Sequence, residues 1–159
     1  MENIGKIMIS LLEILVYLHS LPAPVLYLDL QPDNIIIRNG EAVLIDFGNA
    51  VKKDGQYLQN YFHGTLGYAA PEQYYGEAAE QSDIYAAGAI LYFLFYKKTP
   101  GGTETELPEQ TKISPLLKEW MQRAMKHRKE ERYQTAEEMK QAAETLFRKQ
   151  TGSKEISLT

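Results

Sequence analysis

The chain has 159 residues, of which 44% are hydrophobic and 24% charged, a composition typical of one soluble globular domain. It contains no cysteine, which excludes a disulfide framework and cysteine-based metal sites and is consistent with a reducing cytoplasm. With 17 basic and 21 acidic residues the net charge is −4, so no basic excess is present for general nucleic-acid binding.

The first predicted element is a helix over Glu2–Ser20, through which apolar residues recur at helical spacing. Pro22 and Pro24 follow and end this helix. Glu13 interrupts its apolar run and no small-residue cleavage site follows, so we expect no signal peptide. The other long apolar run, Ile84–Tyr96, has 13 uncharged residues. A bilayer span needs about 20, so we expect no membrane contact.

A β-hairpin is predicted next. Two short aliphatic runs, Ile35–Ile37 and Ala42–Ile45, are separated by the dipeptide Asn39-Gly40, a strong signal for a tight hairpin turn. From Lys52 to Asn60 the chain is polar and contains glycine, which indicates a loop.

Two helices are predicted in the second half of the chain. Ser82 is positioned to cap a long apolar helix that runs to about Lys97. Ser114 and Pro115 have the residue types preferred at the N-cap and first helical position, which predicts a helix to about Lys126.

The last predicted helix begins at Thr135, which with Glu138 forms a capping-box pattern, and ends at about Lys149. The polar tail from Thr151 to the last residue is expected to be disordered. The fold class predicted from these elements is mainly α with one small β-hairpin, in a single domain over residues 1–150.

Polar residues flank the predicted hairpin. Asn34 stands before its first strand and Asp46 after its second, so the tight turn brings them close in space. Their amide and carboxylate oxygens are ligands that Mg²⁺ prefers, and Asp29 on the same loop is a candidate base. The alternative is that these aspartates are ordinary turn and cap residues, and spacing alone favours that alternative.

Five motifs follow one another along the chain. They are Asp29-x-x-x-x-Asn34, Asp46-Phe47-Gly48, Gly64-Thr65 through Ala70-Pro71-Glu72-Gln73, Ser82-Asp83-Ile84-Tyr85-Ala86-Ala87-Gly88, and Glu130-Glu131-Arg132-Tyr133. Their order resembles the signature of the protein kinases, and the Ala-Pro-Glu-Gln pattern is similar to that of the bacterial branch of the Ser/Thr kinases.

The resemblance implies ATP- and Mg²⁺-dependent phosphoryl transfer to protein hydroxyls. Asp29 would accept or orient the substrate hydroxyl, and Asn34 with Asp46 would hold the metal ions that bridge the nucleotide phosphates. Thr65 would line the site for the residue after the phosphoacceptor and brace Asp29. Gln31 replaces the lysine that usually neutralises the transferring phosphate, so activity is expected to be lowered.

Further residues have structural roles by the same resemblance. Asp83 would hydrogen-bond the backbone of the catalytic loop from its helix N-terminus, and Glu72 would form a buried ion pair with Arg132. Tyr27 replaces the usual histidine and is expected to stack with Phe47.

Another departure concerns regulation. Leu28 replaces an arginine that normally receives a phosphorylated loop residue, and leucine cannot form that charge-assisted bond. Residues 49–63 contain no serine or threonine. We therefore expect no control by Ser/Thr phosphorylation of that loop.

The resemblance covers only the large, C-terminal lobe of a kinase. No Gly-x-Gly-x-x-Gly loop or Val-Ala-Ile-Lys-like strand of the β-rich N-terminal lobe occurs in these residues. The chain by itself is therefore expected to be inactive and to bind no ATP or Mg²⁺ tightly. Apolar surface near Phe47 and Leu28 is expected to bind a small lobe, in cis or in trans, or to mediate self-association.

Two alternative functions stay open. The first is a pseudokinase-like remnant that serves as a binding module. The second is a small-molecule phosphotransferase, since such enzymes share the Asp-x-x-x-x-Asn and Ile-Asp-Phe-Gly-like segments. Those enzymes lack the Ala-Pro-Glu segment found here.

Overall fold

The structure is a computed structural model that describes residues 2–54, 62, 64–101 and 113–157. Within this part of the chain the helices are α1 (Glu2–Ser20), α2 (Glu80–Tyr96), α3 (Pro115–Ala124) and α4 (Ala136–Ser157). The strands are β1 (Val25–Leu26), β2 (Ile35–Arg38), β3 (Glu41–Leu44) and β4 (Val51–Lys52). Short 3₁₀ turns cover Pro32–Asn34, Pro71–Tyr75 and Lys129–Glu131. The predicted mainly α fold with a small hairpin is confirmed.

Helix α2 lies at the centre of the domain. Every residue from Ser82 to Tyr92 is buried, which explains why the part of this stretch after Asp83 has no charged residue on any side of the helix. Helices α1, α3 and α4 all contact it. At Gly88 a Cβ would lie 2.9 Å from the Cβ of Ala124, so the missing side chain allows the end of α3 to approach closely.

Helix α1 packs its apolar stripe into the same core. Met8, Leu11, Leu12 and Leu15 are fully buried, as their spacing predicts for one face of a helix. The helix ends at Ser20, before the two prolines, so its predicted bounds are confirmed.

The predicted hairpin is also confirmed, with Ile35 paired to Leu44 and Arg38 to Glu41. Asn39 and Gly40 form its turn with φ of 54° and 79°, the left-handed values that a tight two-residue turn requires. The hairpin is attached to α1 by Ser10, whose Oγ accepts a 2.8 Å hydrogen bond from the buried backbone N–H of Ala42.

A second antiparallel pair was not predicted. Strand β1 pairs with β4, with Val25 opposite Lys52 and Leu26 opposite Val51. The interpretation of Lys52 as the start of a loop was therefore wrong at its first residue. Strands of two residues are too short to show an alternating pattern, and their pairing is decided by distant parts of the chain.

The start of α2 differs from the prediction. The helix begins at Glu80 with Ala79 as its N-cap, and Ser82 lies inside the first turn. The Ser82 Oγ accepts a 3.0 Å hydrogen bond from the backbone N–H of Ala79. A side chain of the first turn thus provides an acceptor for a backbone N–H at the helix start. By contrast, α3 begins as predicted, since the Ser114 side chain accepts from the N–H of Leu117 at 3.3 Å.

Helix α4 begins where expected and continues further. The Thr135 Oγ1 accepts from the N–H of Glu138 at 3.0 Å, but the Glu138 carboxylate reaches back to the N–H of Gln134, one residue earlier than a standard capping box. The helix runs to Ser157, beyond the predicted end at Lys149. Residues 151–157 are thus helical where a disordered tail was expected, and no proline interrupts them.

Among the described helices, none is long and apolar enough to cross a membrane.

Loss of the Ser10 hydroxyl should destabilise the domain, because it leaves the buried N–H of Ala42 without its acceptor. We expect Ser10→Ala to lower the free energy of unfolding by about 1–3 kcal/mol, measured by urea denaturation. The control is Ser20→Ala, whose hydroxyl is exposed and bonds only the preceding turn of α1. Its effect should be within about 0.5 kcal/mol, and equal losses in the two variants would contradict the assignment.

Candidate functional site

The candidate site lies at the open end of the β2–β3 hairpin. The backbone N–H of Ile45 donates to the carbonyl of Asn34 at 3.2 Å, which extends the strand ladder by one step beyond Leu44. Asn34 and Asp46 therefore lie on adjacent ends of the two strands. The tight turn at the other end of the hairpin sets this register, so the sequence brings the two residues together through local structure.

Asp29 is the most heavily hydrogen-bonded side chain of the site, and it is only 9% exposed. Its Oδ1 accepts from the Thr65 hydroxyl at 2.7 Å and from the Gln31 amide at 3.4 Å. Its Oδ2 accepts from the amides of Asn34 at 3.1 Å and Asn49 at 2.9 Å. All four donors are neutral groups.

Asn34 and Asp46 present oxygen atoms at the hairpin end. The Asn34 amide nitrogen donates to both the carbonyl and the carboxylate of Asp29, which fixes the orientation of the amide and makes its oxygen the atom that could ligate a metal. Asp46 is exposed, and its Oδ1 accepts from the N–H of Gly48 at 2.8 Å.

These oxygens suit Mg²⁺ better than a transition metal. The described residues hold no group of three or more His, Cys, Asp and Glu side chains that could enclose an ion. One carboxylate and one amide leave most of an octahedral shell to phosphate and water oxygens, which is how Mg²⁺ is usually bound.

Beyond Thr65 the chain forms a tight turn beside an apolar groove. The Thr65 carbonyl accepts from the N–H groups of Tyr68 and Ala69, so the threonine fixes the start of this turn. The groove has a volume of about 530 Å³, and Leu66 and Tyr75 on its walls are 79% and 78% exposed. The groove therefore starts one residue from the hydroxyl that contacts Asp29.

The backbone before Asp29 is held by α2. The buried carboxylate of Asp83 accepts from the N–H of Tyr27 at 2.9 Å and from that of Leu28 at 2.8 Å. Leu28 has a φ of 63°, in the left-handed region that branched residues rarely adopt, and its carbonyl accepts from the Gln73 amide at 3.1 Å. Asp83 and Gln73 thus form a clamp on the two peptide groups of Leu28, and this clamp fixes the backbone that leads to Asp29.

Leu28 is 3% exposed, so the expectation that it would contribute to an exposed apolar surface was wrong.

Tyr27 and Phe47 make an edge-to-face contact with ring centroids 5.2 Å apart. Tyr27 is fully buried, and burial raises the pKa of its phenol to about 12, with the nearby carboxylates of Asp29 and Asp83 acting in the same direction. The phenol therefore stays neutral at physiological pH and serves as a core side chain.

Phe47 is 49% exposed. Three isoleucines at the hairpin have similar exposure, between 46% and 51%. We call these four residues the hairpin patch: Ile36, Ile37, Ile45 and Phe47.

Glu72 and Arg132 form a buried, two-bonded ion pair, with nitrogen–oxygen distances of 2.6 and 2.9 Å. Burial by itself would raise the pKa of the Glu72 carboxyl, but the hydrogen bonds and charge of Arg132 outweigh it and hold that pKa below its ordinary value. The Ser82 hydroxyl adds a hydrogen bond to the same carboxylate. The remaining guanidinium hydrogen bonds go to the carbonyls of Gln81, Lys126 and His127.

Three side chains around the site were missed by the sequence analysis. His19 Nε2 donates to Asp83 at 2.8 Å, and its buried Nδ1 finds no partner among the described residues, so the proton is assigned to Nε2. Gln73 holds Leu28, and Asn49 holds Asp29. Asn49 directly follows the Asp-Phe-Gly motif and could have been noticed there. His19 is 64 residues from Asp83, and no local pattern signals such a contact.

The family model of the protein kinase domain matches residues 1–154. The Ser/Thr-protein kinase PknA of Nostoc sp. is 35% identical over 157 residues, which cover 87% of this chain and 27% of that protein. The Ser/Thr-protein kinases D and C of Synechocystis sp. are 33% and 30% identical and cover 92% and 91% of this chain. The chain spans about a third or less of the length of these curated relatives.

Removal of the Glu72 charge should strongly destabilise the domain, because it leaves the Arg132 guanidinium buried and unpaired. We expect Glu72→Gln to lower the free energy of unfolding by about 3–5 kcal/mol at neutral pH. The double variant Glu72→Leu with Arg132→Met should recover part of this loss. If Glu72→Gln unfolded at the same urea concentration as wild type, the pair would not be stabilising.

The same pair should make stability depend on pH. Since the folded-state pKa of Glu72 lies below its ordinary value of 4.5, its stabilisation is present above that value. It is lost as the pH falls through the lowered folded-state pKa. Below pH 4.5, stability should therefore fall less steeply in Glu72→Gln than in wild type.

Proposed function

Because this chain belongs to the protein kinase family, in the bacterial branch of the Ser/Thr kinases, we propose that residues 1–150 are the large lobe of an active Ser/Thr kinase. Its reaction would be transfer of the γ-phosphoryl group of ATP to a hydroxyl of a protein substrate. The observation that carries the proposal is the Asp29 carboxylate, oriented by four hydrogen bonds, one of them from Asn34 at the end of the hairpin that leads to Asp46.

Asp29 would act on the acceptor hydroxyl. As the acceptor oxygen bonds to the γ-phosphorus, the bond from phosphorus to the leaving ADP oxygen breaks and the hydroxyl proton passes to the Asp29 carboxylate. The hydrogen bonds from Thr65 and the amides support this role, because they hold the carboxylate in one orientation before substrate arrives. Most catalysis of this kind comes from positioning and charge neutralisation.

Asn34 and Asp46 would hold the metal. When bound, Mg²⁺ supplies positive charge to the nucleotide phosphates. Gln31 would donate a hydrogen bond to the transferring phosphate without adding charge, so we expect a slower kinase than one with a lysine at this position. The chain's lack of cysteine also fits a cytoplasmic kinase with access to ATP.

The protein substrate would extend from Asp29 across Thr65. Its acceptor residue would lie at the carboxylate, and the residue after it would enter the groove lined by Leu66 and Tyr75. The support is that Asp29 and the groove adjoin each other: the Thr65 hydroxyl contacts Asp29, and the next residue, Leu66, lines the groove.

Control by phosphorylation of the loop after Asn49 would be absent. Leu28 offers no charge to a phosphate, and the loop has no serine or threonine. Residues 55–61 and 63 of this loop lie outside the described residues, so this proposal depends on the sequence and on Leu28 alone.

We further propose that the hairpin patch receives a kinase small lobe, in cis or in trans, and that residues 1–159 self-associate through it when no small lobe is bound. The support is four half-exposed apolar side chains on the hairpin, of which Ile45 and Phe47 flank Asp46 in the chain. The same patch would serve a binding module if the chain were a pseudokinase-like remnant, and the activity test below separates the two. A small-molecule phosphotransferase is the less favoured alternative, because the Ala70-Pro71-Glu72 segment belongs to the protein kinases.

Activity should require both lobes and Asp29. We expect no measurable ATP-dependent transfer by residues 1–159 alone. A two-lobe protein, meaning residues 1–159 with a kinase small lobe fused or added, should label a protein substrate with radioactive phosphate. Asp29→Asn should reduce its kcat by about 100-fold or more, because proton transfer and orientation are lost together.

The matched control is Asp33→Asn on the same loop, whose carboxylate is exposed. Its kcat should stay within about twofold of wild type. Transfer by the two-lobe protein that survives Asp29→Asn would contradict the proposed role. Complete inactivity of the two-lobe protein would favour the binding module.

Polar substitution in the hairpin patch should weaken association. We expect residues 1–159 to form dimers or larger species at high concentration in light scattering, and an added small lobe to displace them. The pair of substitutions Ile45→Ser and Phe47→Ser should yield a monomer that no longer binds the small lobe. Leu116→Ser on α3 removes an equally exposed side chain elsewhere and should change nothing. Wild-type protein that stays monomeric and binds no small lobe would refute this role.

A further inference from the structure

Asn49 contacts the candidate base Asp29 directly, although it is not one of the proposed metal ligands. Its amide nitrogen donates to Oδ2 of Asp29 at 2.9 Å, shorter than the 3.1 Å bond from Asn34 to the same oxygen. The residue lies in a turn that starts at Phe47, whose carbonyl accepts from the N–H of Ala50 at 3.1 Å. The turn fixes the backbone at Asn49, and the packing of this segment against the loop of Asp29, 20 residues earlier in the chain, brings the amide to the carboxylate.

The hydrogen bonds to Asp29 differ between its two oxygens. A carboxylate offers about four acceptor positions, two on each oxygen. On Oδ2 both are used by amides at ordinary distances, 2.9 and 3.1 Å. On Oδ1 the Thr65 hydroxyl is close, at 2.7 Å, but the Gln31 amide is 3.4 Å away, beyond the usual range for such bonds.

An incoming acceptor hydroxyl must displace one of these donors, because it needs an acceptor position on the carboxylate. Gln31 is the weakest donor, so its place on Oδ1 is the one most easily vacated. Thr65 on that same oxygen leads to the groove in which the substrate would continue. Both observations put the reacting hydroxyl at Oδ1 and leave Oδ2 to the two asparagines.

We propose that Asn49 is a positioning residue for phosphoryl transfer, which occupies Oδ2 with Asn34 and so directs Oδ1 of Asp29 toward the acceptor hydroxyl. In the step itself the proton of the acceptor hydroxyl passes to Oδ1 while its oxygen bonds to the γ-phosphorus. This inference rests on the proposed function, since it needs Asp29 to act on a hydroxyl.

The position of Asn49 also couples the two halves of the site. Asn49 lies three residues after Asp46, and the Asp46 carboxylate accepts a hydrogen bond from the N–H of Gly48 in the same segment. A shift of the Asp46 segment would therefore move the amide that orients Asp29. Correct placement of the metal-binding segment and of the base would then depend on each other.

The test replaces Asn49 by leucine, which has a similar size and no donor, in the two-lobe protein. We expect kcat to fall about ten- to a hundredfold, which is the loss of one hydrogen bond to a charged group expressed as a rate. The KM values for ATP and for the protein substrate should stay within about twofold, because Asn49 contacts Asp29 and neither substrate. Asn49→Ser, whose hydroxyl is too short to reach Oδ2, should give the same loss.

The control is Asn39→Gly in the hairpin turn, which keeps the left-handed backbone and should leave kcat unchanged. A normal kcat in Asn49→Leu, with a lowered melting temperature or without one, would overturn the inference and leave the proposed function intact. A raised KM with normal kcat would also overturn it, since Asn49 would then contact a substrate. If the wild-type two-lobe protein transferred no phosphate, the proposed function would fail and this inference with it.

Discussion

Leu28 adopts a left-handed backbone conformation because both of its peptide groups are held from outside its own loop. Asp83 accepts its N–H and Gln73 donates to its carbonyl, at 2.8 and 3.1 Å. Such a conformation costs on the order of 1–3 kcal/mol and persists only where the surroundings enforce it. The next residue is Asp29, so the direction of the candidate base depends on this clamp, and the clamp depends on a carboxylate buried in the core.

The first turn of α2 is the point at which the site is attached to the rest of the domain. Asp83 holds the loop before Asp29, and Ser82 bonds the carboxylate of Glu72, which is paired with Arg132. Glu72 lies in the segment that also carries Thr65, so both sides of Asp29 are fixed to one helix terminus. The four donors that contact Asp29 are neutral side chains, three amides and one hydroxyl.

Elements with strong local signals could be predicted. Helix α1 has a long apolar period and two prolines at its end, the hairpin has Asn39-Gly40, and α3 has Ser114 before a proline. Each signal acts within a few residues, so it specifies structure before the chain folds. The order of the kinase motifs also lies in the sequence, and the hairpin turn alone is enough to bring Asn34 and Asp46 to the same end.

The sequence by itself determined the main helices, the hairpin and the residue types of the site. Tertiary structure alone decided the β1–β4 pairing, the burial of Leu28, the contact of His19 with Asp83 and the hydrogen bond from Asn49 to Asp29. These features join segments that are distant along the chain or depend on a single side-chain direction. No periodicity or turn signal encodes them, because their partners meet only when the helices have packed around α2.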